Sequence, residues 1–77
     1  MKSTADVQKA VSAKIKEFQK TEKMSLTGMS EITGISLYTI RNWREQQCLP
    51  DLYNAYLLSD AMGITLQELI GEANATV

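Results

Sequence analysis

The 77-residue sequence contains no histidine and only one cysteine. Histidine is the commonest general base and the commonest side-chain ligand of transition metals, so we expect neither an enzyme nor a metal site. The single cysteine, Cys48, cannot form an internal disulfide, which is typical of a reducing compartment and indicates the cytoplasm. The sequence also lacks a glycine-rich phosphate loop, and no cofactor is expected. A binding module is therefore the default interpretation.

Long apolar runs are also missing. No stretch approaches the roughly 20 apolar residues of a membrane span, and the polar first residues do not resemble a secretion signal, so no membrane association is expected. The length predicts one domain, residues 1–77. Its net charge is −1, but residues 1–48 contain all eight basic residues against five acidic ones, whereas residues 49–77 contain four acidic residues and no basic one. This division favours a polyanion approaching the basic part.

Apolar residues at spacings of three and four, bounded by capping residues and glycines, predict five helices and no strand. The predicted segments are 4–23 (capped by Ser3 or Thr4), 25–34, 37–46 (capped by Ser36), 50–63 and 65–71. Pro50 is expected at the first position of the fourth helix, and Thr65 with Glu68 predicts a capping box on the fifth. Residues from about 72 to 77 are expected to form a flexible tail. The predicted core face of the fourth helix is Leu52, Ala55, Ser59 and Met62.

The second and third predicted helices have the spacing of a helix-turn-helix, which spans residues 25–46. With Leu26 as position one, position four needs an apolar residue, position five a small residue and position nine a glycine in the turn; these are Met29, Ser30 and Gly34. The positions that lock the second helix over the first are ten, fifteen and eighteen; they hold Ile35, Ile40 and Trp43. Only position eight, Thr33, lacks the expected aliphatic side chain.

The run from Ser25 to Trp43, followed by residues 50–70, resembles the phage Cro/repressor family of helix-turn-helix proteins, also called XRE or lambda-repressor-like. The resemblance covers about residues 15–70 and implies an all-α fold, a compact five-helix lambda-repressor-like bundle. It also implies a transcription regulator, either a phage or prophage repressor or a Cro-like protein, that binds double-stranded DNA with residues 37–46 in the major groove.

By position, the resemblance implies a set of DNA-binding residues: Ser25, Leu26, Ser36, Leu37, Tyr38, Thr39, Arg41, Asn42, Arg44, Gln46 and Gln47. The free N–H groups after Ser25 are expected to bind a phosphate. Asn42 has the donor and acceptor that adenine requires, and Arg41 the paired donors that guanine requires. Leu37 is expected to meet a thymine methyl group, whereas Thr39 and Arg44 are expected nearer the backbone.

Three departures from the family pattern stand out. Members often pair an arginine in the first helix with a glutamate after the tryptophan, but those places hold Gln19 and Arg44, so Arg44 is expected to be free for a phosphate or for Glu17 or Glu22. The pair Gln46–Gln47 replaces a glycine after the third helix and predicts a strained turn. Leu37 and Tyr38 put apolar side chains where polar ones usually contact the bases.

These apolar residues keep a second hypothesis open, a helix-turn-helix domain that binds protein. Such a domain would act as an antirepressor or an antitoxin, with a repressor or a toxin as its partner. A homodimer on DNA is also expected, because one helix-turn-helix contacts only half of a site. The predicted surface for a second copy or another protein is Tyr53, Leu57 and Leu66.

Overall fold

The helical architecture is taken from a computed structural model, which describes residues 2–72 and contains within them five helices and no strand. The helices are α1 (Thr4–Glu22), α2 (Leu26–Thr33), α3 (Leu37–Arg44), α4 (Leu52–Met62) and α5 (Leu66–Leu69). The prediction of an all-α fold with five helices is confirmed. Residues 73–77 of the predicted tail lie outside the described residues. Within residues 2–72, none of the helices has the length and apolar character needed to cross a membrane.

Short polar side chains begin four of the five helices. In each case the side chain accepts a hydrogen bond from a backbone N–H of the first turn, which that turn cannot satisfy internally. The capping residues are Ser3, Ser25, Asp51 and Thr65. The predicted capping box between Thr65 and Glu68 is present. The prediction that Gly34 ends the second helix and Gly63 the fourth is confirmed, because both adopt the left-handed conformation there.

The end of the third helix, the start of the fourth and the cap of the third differ from the prediction. The third helix ends at Arg44 instead of Gln46. Pro50 precedes α4, because the carboxylate of Asp51 accepts from the N–H of Asn54 at 2.8 Å and makes Asp51 the cap. Ser36 occupies the capping position of α3, yet among the described residues its side chain makes no capping hydrogen bond.

The core is formed by eight apolar side chains contributed by every helix and by the turn between α2 and α3. They are Val11, Ile15, Met29, Ile35, Ile40, Trp43, Leu58 and Leu69. Two buried serines lie beside them and each donates to a backbone carbonyl: Ser12 to Arg44, and Ser59 to Tyr56. Because α1 and α2 both pack against α3, that helix is held from two sides.

The predicted core face of α4 is partly wrong. Ser59 is buried, and Ala55 and Met62 pack against the core, but Leu52 is 78% exposed. The fully buried leucine of α4 is Leu58, which lies about a third of a turn around the helix from Leu52. Leucine, tyrosine and alanine occupy nearly every side of α4, so its periodicity does not define one inward face; the contacts with α2 and α5 do.

Candidate nucleic-acid interface

The turn between α2 and α3 is fixed by buried side chains and by two hydroxyl groups. Met29 and Ile35 are buried on either side of Gly34, whose φ of 76° reverses the chain. The hydroxyl of Ser30 donates to the carbonyl of Ile35. Thr33 donates to the Met29 carbonyl at 2.7 Å and accepts from the Ile35 N–H at 3.1 Å. The one residue that departed from the expected spacing therefore ties the turn together.

The role of Thr33 was missed in the sequence, although a signal for it exists. A threonine in the last turn of a helix has a hydroxyl within reach of the carbonyl four residues earlier. Its oxygen then remains available to an N–H two residues later, which is the geometry of a hydroxyl-stabilised turn. An aliphatic side chain at this position would provide apolar contact but leave the Ile35 N–H without this acceptor.

One side of α3 faces the core and the other faces solvent. Ile40 and Trp43 are buried, whereas Tyr38, Arg41 and Asn42 are exposed. The three exposed residues follow the three- and four-residue spacing that puts side chains on one helical face. Three of the residues predicted to face bases thus share a surface. Leu37 and Thr39, at the edges of this face, are only half-buried.

Tyr38 and Arg41 are in contact with each other on this exposed face. The guanidinium carbon of Arg41 lies 5.0 Å from the centroid of the Tyr38 ring, which is the geometry of a cation–π interaction. Both were predicted as DNA-binding residues, but their contact was not predicted.

Arg44 points in a different direction, and the expectation that it is free is wrong. Its Nη1 donates to Oε1 of Gln19 at 3.1 Å, and its Nε lies 3.6 Å from Oε2 of Glu45. The same Gln19 side chain donates through Nε2 to the Met24 carbonyl at 3.3 Å. The backbone carbonyl of Arg44 accepts from Ser12. We call the link through Gln19 the Gln19 bridge; it joins the end of α3 to the loop before α2.

The N-terminus of α2 provides unpaired donors. Ser25 accepts from the N–H of Gly28 at 3.0 Å, and its carbonyl accepts from Met29, so the N–H groups of Leu26 and Thr27 have no acceptor inside the helix. Residues 26–29 include no acidic side chain to neutralise the positive end of the helix dipole. Ser25 itself is exposed. These features fit the predicted phosphate contact at this end.

The turn after α3 has the strained backbone that the missing glycine predicted. Gln46 adopts a φ of 62°, in the left-handed region that disfavours residues with a Cβ. The N–H of the next residue, Gln47, donates to the Asn42 carbonyl at 2.8 Å and closes the turn. Gln46, Gln47 and the free thiol of Cys48 are exposed.

The predicted partner surface is only partly correct. Tyr53 is 68% exposed, but Leu57 and Leu66 are half-buried and pack against the core. The exposed apolar residues of this region instead lie before α4 and along its first half. We call them the α4 patch: Leu49, Leu52, Tyr53 and Tyr56. The exposed residues of α4 were predicted wrongly for the same reason as its core face. When a different side of the helix faces the core, a different side also faces solvent.

The basic residues of the described chain belong to α1, to α3 and to the segments next to α1, whereas α4 and α5 have none. Within residues 2–72 no three cysteine, aspartate or glutamate side chains are grouped so that they could hold a metal ion. Comparisons with protein-family models, with curated proteins and with solved structures find no match to this chain.

Proposed function

We propose that this protein is a sequence-specific DNA-binding transcription regulator of the Cro/repressor type, with α3 in the major groove of double-stranded DNA. The supporting observation is the arrangement of α3. Ile40 and Trp43 fix it against α1 and α2, while Tyr38, Arg41 and Asn42 are exposed along its other side. A helix with polar donors and acceptors on a protruding face is suited to contacts with base edges.

The N-terminus of α2 provides the accompanying backbone contact. The N–H groups of Leu26 and Thr27 bind a phosphate there, beside the hydroxyl of Ser25. Such contacts fix the position of the protein on the duplex but do not distinguish sequences. Thr39 and the exposed Gln46 and Gln47 lie at the edges of this surface. In this proposal the protein acts in the cytoplasm of a bacterial cell as a phage or prophage regulator.

The test is binding to duplexes of random sequence, and then to a selected site, at about 50 and 200 mM salt. A regulator that contacts phosphates loses affinity as salt rises. Asn42→Ala should weaken binding to the selected site by roughly fivefold to 150-fold, since a paired base contact is worth about 1–3 kcal/mol, and should leave binding to scrambled DNA unchanged. Gln67→Ala, an exposed change on α5, is the control. Equal losses on selected and scrambled DNA would contradict a base contact by Asn42.

Two roles of Arg44 can be compared: the phosphate contact that the sequence suggests and the contact with Gln19 that stabilises the fold. A phosphate contact by Arg44 predicts that Arg44→Ala weakens binding equally on all sequences and lowers the salt slope by about one. The Gln19 bridge predicts instead that Arg44→Ala lowers the stability of the fold, because the guanidinium holds α3 against α1. Measuring unfolding and the salt slope on the same variant separates the two roles.

We further propose that the regulator binds as a homodimer. A helix-turn-helix dimer contacts half-sites about one DNA turn apart, roughly 34 Å, and a protein of 34 × 24 × 22 Å is small enough for two copies to lie beside each other over that distance. The α4 patch is the surface for the second copy. Leu52→Lys should lower self-association in sedimentation equilibrium without unfolding the protein, because Leu52 is exposed. Ile32→Lys, a comparably exposed apolar residue on α2, is the matched control.

The same patch favours a second candidate function, protein binding. Four large apolar side chains are exposed within eight residues, which exceeds the usual scatter of single exposed apolar groups. A partner repressor or toxin on the α4 patch would make this protein an antirepressor or an antitoxin. Absence of salt-dependent DNA binding, together with a monomeric state at high concentration, would favour this second function over the first.

A further inference from the structure

The two arginines of α3 have different environments. Arg44 is half-buried and tied to Gln19, whereas Arg41 is exposed and its guanidinium lies over the Tyr38 ring at 5.0 Å. Tyr38 precedes Arg41 by three residues, so the Arg41 side chain runs back along the helix toward its N-terminus. Its charge is thereby held over the first turn of α3.

We propose that Tyr38 is a specificity-determining residue, which positions Arg41 to bind a guanine in the major groove. This inference rests on the proposed DNA-binding function and adds the role of Tyr38 to the guanine contact expected of Arg41. The N-terminal part of a recognition helix is the part that contacts base edges, and the Tyr38 contact draws the guanidinium to that part. A contact with the flanking phosphates would not require the side chain to be folded back in this way.

The contact with Tyr38 leaves the correct donors available. The ring face attracts the charge of the guanidinium but provides no oxygen or nitrogen acceptor for its N–H groups. Two of these N–H groups match the O6 and N7 acceptors of guanine, a pair that no other base presents in the major groove. Tyr38 is 64% exposed and contributes nothing to the buried core, so its position on α3 is explained by this contact and not by packing.

The ring also reduces the cost of ordering Arg41. A free arginine side chain loses much rotamer freedom when it binds in one geometry, and the stacked side chain has lost part of that freedom before DNA arrives. A lysine at this position could still donate to guanine, but without the planar edge that provides two parallel donors. The expected consequence is a guanine preference that depends on both side chains.

The experiment selects binding sites from a randomised duplex library with the wild-type protein and then measures dissociation constants for all four base pairs at each position. Wild type should require guanine at one position of each half-site. Arg41→Ala, which removes every donor of the side chain, should abolish that preference. Tyr38→Leu should lower it about twofold to fivefold, the size of an exposed cation–π contact, without changing the salt slope. Tyr38→Phe, which retains the ring, should keep it.

Each alternative result has a definite meaning. If Tyr38→Leu retains the full guanine preference, or if Arg41→Ala weakens all sequences equally, the inference is overturned while DNA binding stands. If the wild-type protein selects no sequence, the proposed function fails and the inference with it. Circular dichroism melting of each variant separates a folding defect from a binding defect, and Tyr38→Gln, which also removes the ring, takes the place of Tyr38→Leu if that variant does not fold.

Discussion

Replacing Gln19 with leucine should lower the free energy of unfolding by about 2 kcal/mol. The substitution keeps the volume of the side chain but removes both hydrogen bonds of the Gln19 bridge. The bond from the Arg44 guanidinium involves a charge and is worth about 1.5–3 kcal/mol, and the bond to the Met24 carbonyl about 0.5–1.5 kcal/mol. Both are only partly buried, so water replaces part of each and the sum falls at the low end.

A loss of this size is easily measured in a chain this short. For a domain of 60–100 residues, about 2 kcal/mol corresponds to a fall of roughly 8–16 °C in Tm. Urea unfolding followed through the fluorescence of Trp43, the single tryptophan, provides the free energy directly. The matched control is Gln67→Leu, the same substitution at an exposed glutamine on α5, which should change stability by less than about 0.5 kcal/mol.

A double-mutant cycle with Arg44→Met tests whether the two side chains act together. If Gln19 and Arg44 stabilise the protein through their mutual hydrogen bond, the two substitutions should be coupled by about 1–2 kcal/mol. Losses that simply add, or a Gln19→Leu variant as stable as the control, would refute the reasoning and reduce the Gln19 bridge to a surface contact.

Two further predictions concern local features of the backbone and of the first helix. Gln46→Gly should raise the free energy of unfolding by about 0.5–1 kcal/mol, because glycine removes the left-handed penalty at φ 62° but adds entropy to the unfolded chain. Thermal melts measure the change. In the control Gln47→Gly only the entropic loss applies, so the stability should fall. The backbone N–H of Ser3, which donates to Asp6, holds the pKa of Asp6 below its ordinary value, with Lys2 and Lys9 adding to the effect. The ionised form is therefore favoured by folding, so this stabilisation is present above about pH 4 and is lost as the pH falls through the lowered pKa. Urea midpoints of Asp6→Asn and wild type should accordingly differ at about pH 6, and the difference should shrink as the pH falls below about 4; a constant difference would contradict the assignment.

The features that could be predicted from the sequence depend on neighbours close in the chain. A serine or threonine caps a helix through N–H groups two or three residues away, and Gly34 and Gly63 adopt left-handed geometry where the helical pattern stops. The strain at Gln46 was predictable for the same reason, since a turn of that shape favours glycine whatever surrounds it.

The features that could not be predicted depend on distant residues. Gln19 is 25 positions from Arg44. The resemblance put them at two places that family members often join by an ion pair, but the loss of that ion pair led to the wrong expectation that Arg44 is free. The inward face of α4 is set by where α2 and α5 lie, so Leu52, which was expected in the core, is exposed and Leu58 is buried instead. The candidate site is intermediate: the exposure of Tyr38 and Arg41 follows from the buried positions of Ile40 and Trp43, but their mutual contact does not.

The separation of basic and acidic residues has a consequence for how the protein would find DNA. With a net charge of −1 the molecule is nearly neutral as a whole, yet its charges form a dipole with α1 and α3 at the positive end. A dipole is felt at shorter range than a net charge, and at about 0.1 M salt fields are screened within about 10 Å. The field of the DNA orients such a molecule when it is already close to the duplex, but long-range attraction does not raise its concentration near the DNA. Its association rate should therefore depend less on salt than that of a strongly basic regulator, and it would spend little time bound at random sequences.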